Sequence, residues 1–103
     1  MVMMMSNASE KSLARKDGAK LVKNSGRGWM KGDAILPPFL VDYKEYTSSF
    51  SVSKKNWKKH ETDAWEQGER YPLFSVVLDG DTRVAIIDWD VFMDMREAAY
   101  GVS

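Results

Sequence analysis

Two short apolar runs separated by a Pro-Pro pair dominate the pattern of hydrophobic and polar positions. They occupy residues 34–36 and 39–41, and two apolar runs joined by so short a turn predict a β-hairpin. Asp42 and Lys44 follow the second run, and residues two apart on a strand share a face. Asp33 begins the first run. We therefore expect these three polar side chains to meet at one place on a sheet.

The remaining pattern predicts three helices and three further strands. Hydrophobic spacing and end signals predict helices over about 7–17, 53–67 and 90–100, and strands over 19–23, 73–78 and 83–89. Ser53 is the expected N-cap of the second helix and Asp90 that of the third. The element order is therefore α-β-β-β-α-β-β-α.

Aromatic residues are expected mainly in the core. The inward stripe of the second helix is predicted to hold Trp57, His60 or Glu61, Ala64 and Trp65. Trp89 is also expected to be buried. His60, the only histidine, is expected to be a surface or packing residue.

Length and composition limit the class of protein. At 103 residues the chain has the size of one domain; we expect residues 1–6 to be a disordered tail and residues 7–103 to form that domain. No apolar run approaches the roughly 20 residues that span a bilayer. The absence of cysteine excludes disulfides and thiolate metal sites. These features predict a soluble cytoplasmic protein that is not attached to a membrane.

The formal net charge of zero hides a charge dipole along the chain. Residues 1–60 hold twelve Lys or Arg and five Asp or Glu, a net charge of +7, whereas residues 61–103 hold three and ten, a net charge of −7. A basic half can bind phosphate while the acidic half keeps the molecule soluble. The charge pattern therefore favours a nucleic-acid partner.

Convergent carboxylates beside a lysine indicate metal-assisted phosphodiester chemistry. Mg²⁺ prefers carboxylate and phosphate oxygens. We predict that Asp33 and Asp42 bind it, with the backbone carbonyl of Tyr43 as a further ligand and Glu10 from the first helix completing the cluster. Lys44 would orient water or stabilise the charge that develops at phosphorus. The predicted catalytic residues are thus Glu10, Asp33, Asp42 and Lys44, and Mn²⁺ can replace Mg²⁺.

Asp33, a short hairpin and Asp42-Tyr43-Lys44 together resemble the signature of PD-(D/E)XK nucleases. Within that superfamily the chain is most similar to small archaeal-type and phage-encoded Holliday junction resolvases, because Glu10 and Ser25-Gly26 precede the signature at compatible spacing. Gly32 departs from the pattern, since it occupies the position of the proline. The resemblance covers about residues 10–89.

This resemblance implies both a fold and an activity. The expected fold is α/β, with a restriction-endonuclease-like αβββαβ core in which helices flank a central mixed sheet. Residues 7–103 are expected to form a single PD-(D/E)XK nuclease domain with this fold. The expected protein is a homodimer that binds four-way junctions or other branched DNA and nicks two strands symmetrically. It would act in the host cell cytoplasm if it is phage-encoded.

Phosphate contacts are expected from the glycine-rich basic loop at 24–31 and from the start of the second helix. Trp29 has little core to join there and is expected to stack on a base. The predicted DNA-binding residues are Ser25, Arg27, Trp29, Lys31, Lys54, Lys55, Lys58 and Lys59.

Two alternatives to a resolvase remain open. One is a non-catalytic nucleic-acid-binding module in which Asp33 and Asp42 merely pair with neighbouring lysines. The other is a nuclease of the same fold that acts on flaps, mismatches or linear duplex, for which a monomer would suffice.

A dimer would use apolar residues that the small core does not need, namely Tyr71, Phe74, Trp89, Phe92, Met93, Met95 and Tyr100.

Overall fold

The computed structural model describes residues 7–22 and 33–101 and contains three helices and five strands within them. In chain order they are α1 (Asn7–Asp17), β1 (Lys20–Leu21), β2 (Asp33–Leu36), β3 (Phe39–Tyr46), α2 (Lys54–Glu66), β4 (Tyr71–Leu78), β5 (Thr82–Ile87) and α3 (Trp89–Tyr100). The predicted element order is confirmed. The predicted tail at 1–6 and the loop at 24–31 lie outside the described residues.

The five strands form one mixed sheet in the order β1-β2-β3-β4-β5. Neighbouring strands are antiparallel except β3 and β4, which are parallel. A parallel pair requires a crossover connection, and α2 provides it. The fold is therefore α/β with a mixed sheet flanked by helices, and its first six elements are compatible with the predicted αβββαβ core. Within the described residues no helix has the length and hydropathy of a membrane span.

The β2–β3 hairpin has the register that the apolar pattern predicts. Asp33 lies opposite Asp42, and Ala34 lies opposite Val41. Ala34 and Val41 are buried, whereas both aspartates are half-buried. Because successive side chains alternate between the two faces of a strand, the apolar pair and the acidic pair point to opposite sides of the sheet.

The main apolar core lies on the sheet face opposite the aspartates, under α1. Ala14 of α1 packs there with Ala34, Val41, Tyr43 and Val77. Each is at most 8% exposed, and burial of such side chains is the principal stabilising term in a domain of this size.

A polar network closes one edge of this core and joins α1 to β5. The Tyr43 hydroxyl donates to Asp17 Oδ2 at 2.8 Å, and the Arg83 guanidinium donates to both oxygens of Asp17. Arg83 also donates to Ser75 Oγ at 3.0 and 3.2 Å. The guanidinium holds the pKa of Asp17 below its ordinary value, and burial raises the pKa of Tyr43. The network thus fixes α1 against distant parts of the chain.

The two longer helices begin at side-chain caps. Ser53 Oγ accepts a hydrogen bond from the Asn56 amide at 3.1 Å, as predicted. For α3 the predicted cap was wrong: Asp88, not Asp90, accepts from the amides of Asp90 and Val91 at 2.9 and 3.3 Å. The strand before it therefore ends at Ile87, and Trp89 is the first residue of the helix.

Several aromatic residues are placed differently from the prediction. Trp65 is 64% exposed and Trp89 is 70% exposed, while Trp57 is half-buried. The rotation of α2 about its axis explains Trp65, because burying Ala64 turns the next side chain outward by about 100°. Phe74, a predicted dimer contact, is only 3% exposed. It packs against α2 inside the fold.

Candidate metal centre between the sheet and helix α2

A cleft of about 700 Å³ lies between the acidic face of the sheet and α2. Asp33 from β2 and Asp42 and Lys44 from β3 line it from the sheet side. His60 and Asp63 line it from α2. The structure thus brings together three of the four predicted catalytic side chains and adds two residues of α2 that were not predicted.

Three side chains in this cleft have the spacing of a metal site. One ligand atom each from Asp33, Asp42 and His60 lies within 4.8 Å of the other two. Two ligands about 2.2 Å from a common cation are at most about 4.4 Å apart. Two carboxylates and an imidazole could therefore hold one divalent cation after only small side-chain shifts.

Electrostatics at Asp33 favour a positive partner. The pKa of Asp33 is raised to about 6, chiefly by burial, next by the neighbouring charge of Asp42 and to a smaller extent by Asp63. His60 and Lys44 act in the opposite direction but do not offset these effects. A bound cation would favour the ionised carboxylate and reverse this balance.

Lys44 lies on the same face as Asp42, as the alternation of β3 predicts. Its Nζ is 3.4 Å from Asp42 Oδ2, and its side chain is 29% exposed. Within residues 7–22 and 33–101, Asp33 forms no ion pair. Lys44 therefore pairs with Asp42 and offsets only part of the acidic charge at Asp33.

His60 is held in place by the backbone of β4 and by aromatic rings. It is 4% exposed, and its Nε2 lies 3.0 Å from the carbonyl oxygen and 3.3 Å from the amide nitrogen of Leu73. The Phe74 ring lies 4.8 Å from the imidazole, and Trp57 meets it edge-on at 6.5 Å. The ring is therefore a fixed part of the cleft. Of the two predicted alternatives, a surface or a packing residue, the burial of His60 agrees with packing.

The sequence predicts His60 as one of two alternatives for the inward stripe of α2, but not as a residue of the site. His60 follows Trp57 by three residues and precedes Ala64 by four, so all three lie on the inward face. A histidine on that face needs polar partners once buried. The sequence pattern does not show that the aspartates of the hairpin lie next to it.

The two remaining predicted ligands, Glu10 and the backbone carbonyl of Tyr43, are not among the described groups that line the cleft. Glu10 lies in α1, but its side chain is outside the described residues, and α1 packs on the sheet face opposite the cleft. The Tyr43 side chain also points to that face, where it bonds Asp17; its predicted contribution is the backbone carbonyl. These two contributions to the site stay predictions.

Of the predicted DNA-binding residues, only the lysines of α2 are described. Lys54 and Lys55 are exposed at the start of the helix. Lys58 pairs with Glu61 at 3.0 Å and Lys59 with Asp63 at 3.1 Å. Both are largely exposed, so such pairs contribute little to stability and the lysines can exchange them for phosphate. The four in the loop, Ser25, Arg27, Trp29 and Lys31, lie outside the described residues.

No family model matches the chain, and neither a curated protein nor a solved structure matches it. These comparisons therefore assign no function to the chain.

Proposed function

We propose that the protein is a divalent-metal-dependent endodeoxyribonuclease that hydrolyses phosphodiesters in branched DNA, with the four-way junction as its preferred substrate. The observation that carries this proposal is the convergence of Asp33, Asp42 and Lys44 in one cleft, with Asp33 directly opposite Asp42 in the hairpin. The resemblance of these residues to the PD-(D/E)XK signature supports the choice of reaction.

The donor set fits the metal that such a reaction requires. Asp33 and Asp42 would hold Mg²⁺ or Mn²⁺, and the cation would supply Lewis-acid polarisation of the phosphate and acidify a water. Lys44, which is partly exposed and carries three donors, would donate from Nζ to a phosphoryl oxygen as negative charge develops there.

Exposed charge around the cleft supports a DNA substrate. Lys54, Lys55, Lys58 and Lys59 are exposed on α2, whose inner face forms one wall of the cleft. Phosphate contacts of this kind position the duplex without reading its sequence. Selectivity for a branch would then come from the shape of the assembly.

We also propose a homodimer, because two symmetric nicks require two active sites. Helix α3 has no buried residue. The exposed apolar residues at that end of the molecule are Tyr71, Trp89, Phe92, Met95 and Tyr100. Sedimentation at micromolar concentration, with and without junction DNA, tests this part. A single species near the chain mass of 11.7 kDa in both conditions would remove the resolvase assignment and leave a nuclease.

One observation favours a second candidate, a non-catalytic DNA-binding module. Lys44 and Asp42 form an ion pair at 3.4 Å, which agrees with a structural role in which the lysine only neutralises the carboxylate. This candidate predicts DNA binding without cleavage under any divalent cation.

Cleavage of end-labelled DNA decides between these candidates. A four-way junction is incubated beside linear duplex, flap and single strand, with Mg²⁺, Mn²⁺ or EDTA. We expect metal-dependent cleavage of the junction, its loss in Asp33→Ala and Asp42→Ala with DNA binding retained, and its loss in Lys44→Ala with metal binding retained. Asp79→Asn, which removes the charge of an exposed carboxylate in the β4–β5 turn and tolerates its φ of 55°, is the control. Unchanged turnover in Asp33→Ala or Asp42→Ala would refute the site assignment.

A further inference from the structure

We propose that His60 is a direct ligand in the cleft and that it makes the site select Mn²⁺ over Mg²⁺. This inference concerns the same cleft as the proposed function. It rests on the proposed metal site and does not depend on DNA cleavage. It changes the cofactor expected from the two carboxylates alone, which would suit Mg²⁺.

The hydrogen bond of His60 leaves its second nitrogen available. Nε2 lies closer to the Leu73 carbonyl oxygen, at 3.0 Å, than to the Leu73 amide nitrogen, at 3.3 Å. In the tautomer that donates Nε2–H to this carbonyl, Nδ1 carries the lone pair. No residue in the described part of the chain bonds Nδ1. A metal-ligating histidine also usually donates its other ring N–H to a carboxylate, a backbone carbonyl or water.

The imidazole is both buried and close to the carboxylates. It is 4% exposed, and one of its nitrogens lies within 4.8 Å of oxygens of Asp33 and Asp42. Phe74 packs at 4.8 Å from the ring centre with the planes inclined by 31°, so the ring cannot turn away without losing packing. The ligand is therefore in place before a cation arrives.

The chemistry of the donor set then determines the cation. Mg²⁺ prefers oxygen ligands, demands near-ideal octahedral geometry and keeps several waters. Mn²⁺ also accepts carboxylates, and affinity for an imidazole rises along the divalent transition metals. One imidazole with two carboxylates thus gives Mn²⁺ a ligand that Mg²⁺ uses poorly.

A structural role for His60 makes a different prediction. If the imidazole only satisfied Leu73 and filled the space beside Phe74, its replacement would lower stability but leave the Mn²⁺ to Mg²⁺ ratio unchanged. The ratio of affinities therefore separates a ligand from a packing residue.

Two variants separate the two nitrogens of the ring. In His60→Gln the side-chain amide reaches the position of Nε2 and can still donate to Leu73, but the ligand atom at Nδ1 is gone. In His60→Asn the amide lies near Nδ1, and the contact with Leu73 is lost. Asp79→Asn, in the exposed turn after β4, is the control for nonspecific effects.

Isothermal titration of the full chain with MnCl₂ and with MgCl₂, in the absence of DNA, tests the proposal. Loss of a group that only hydrogen-bonds to a metal ligand costs about 10–100-fold in metal affinity. Loss of the ligand itself should therefore weaken Mn²⁺ binding at least about tenfold. We expect this loss in His60→Gln, little change in its Mg²⁺ affinity, and a wild-type protein that binds Mn²⁺ more tightly than Mg²⁺. Equal wild-type affinities, or a His60→Gln protein with unchanged Mn²⁺ affinity, would overturn the proposal.

Pulsed electron paramagnetic resonance of Mn²⁺ bound to the wild type gives a measurement that does not depend on the folding of a variant. A nitrogen coupling from a directly bound imidazole is expected, and its absence would refute the proposal. Imidazole-coupled Mn²⁺ in a protein that cleaves no DNA would refute the nuclease and leave this inference standing. A wild type that binds neither cation would refute both.

Discussion

Removing the charge of Asp33 should stabilise the metal-free fold. The carboxylate is half-buried and lies directly opposite Asp42 in the hairpin, where like charges destabilise a sheet. In Asp33→Asn the shape is nearly kept and the charge is lost, and the new amide can donate to the Asp42 carboxylate. A gain in stability is therefore expected at a position where most substitutions would cost stability.

The pKa of Asp33 sets the size of the effect. A value of about 6 against an ordinary 3.8 corresponds to about 3 kcal/mol of unfavourable free energy when the group is ionised. Because the folded pKa is raised, the folded state takes up a proton first as the pH falls. The contribution of Asp33 to wild-type stability should therefore become less unfavourable from pH 6 down to about pH 4 and be constant above about pH 7.

Urea denaturation in EDTA at two pH values measures this directly. Near pH 7.5 the variant should be more stable than the wild type by at most about 3 kcal/mol, and near pH 4.5 by only about 1 kcal/mol. Asp79→Asn is the matched control, since Asp79 is exposed with a φ of 55° that asparagine also tolerates. We expect that control to differ little from the wild type at either pH.

Two outcomes would refute this reasoning. A destabilised Asp33→Asn protein near pH 7.5 would show that the carboxylate has a favourable partner in the folded state. A stability difference that does not shrink on acidification would show that the gain comes from packing and not from the lost charge.

Two other predictions concern the stability of the fold, through the hydrogen bonds of Asp17 and the N-cap of α2. Asp17→Asn should lower the free energy of unfolding by about 1–2 kcal/mol near pH 7 in thermal or urea melts, because it weakens the hydrogen bonds to Arg83 and Tyr43 at the edge of the core. The pKa of Asp17 is lowered in the folded state. In the wild type this stabilisation is therefore fully present above the ordinary pKa of 3.8 and is lost as the pH falls through the lower folded pKa. Ser53→Ala should cost about 1 kcal/mol, since the α2 cap loses its bond to Asn56, whereas Ser48→Ala in the exposed bend before it should be neutral; equal effects of the two would contradict a capping role.

The elements that could be predicted from the sequence are those determined by local chemistry. The β2–β3 hairpin follows from two apolar runs around a tight turn, and the period of two then places Asp33 beside Asp42. The start of α2 follows from Ser53, whose hydroxyl can bond the helix amides only from the cap position. In each case the residues that decide the structure are neighbours in sequence or in one hairpin.

Features that depend on how whole elements pack could not be predicted in this way. Which face of α2 turns inward depends on the sheet beneath it, and that rotation buries His60 and exposes Trp65. At the start of α3, Asp88 and Asp90 both satisfy the preference for a cap. Asp88 is the cap because β5 pairs with β4 only as far as Ile87, which a pattern of residue types does not encode.

The arrangement of the two aspartates is itself an argument for function. A sheet selected only for stability would not place two carboxylates directly opposite each other on a half-buried face, and Asn or Ser at position 33 would avoid the desolvation that raises the pKa of Asp33. Lys44 offsets part of this charge through Asp42, yet the pKa of Asp33 stays raised. Departures from local stability rules tend to mark functional sites. A divalent cation held by Asp33, Asp42 and His60 would turn the unfavourable pair into a favourable one at neutral pH.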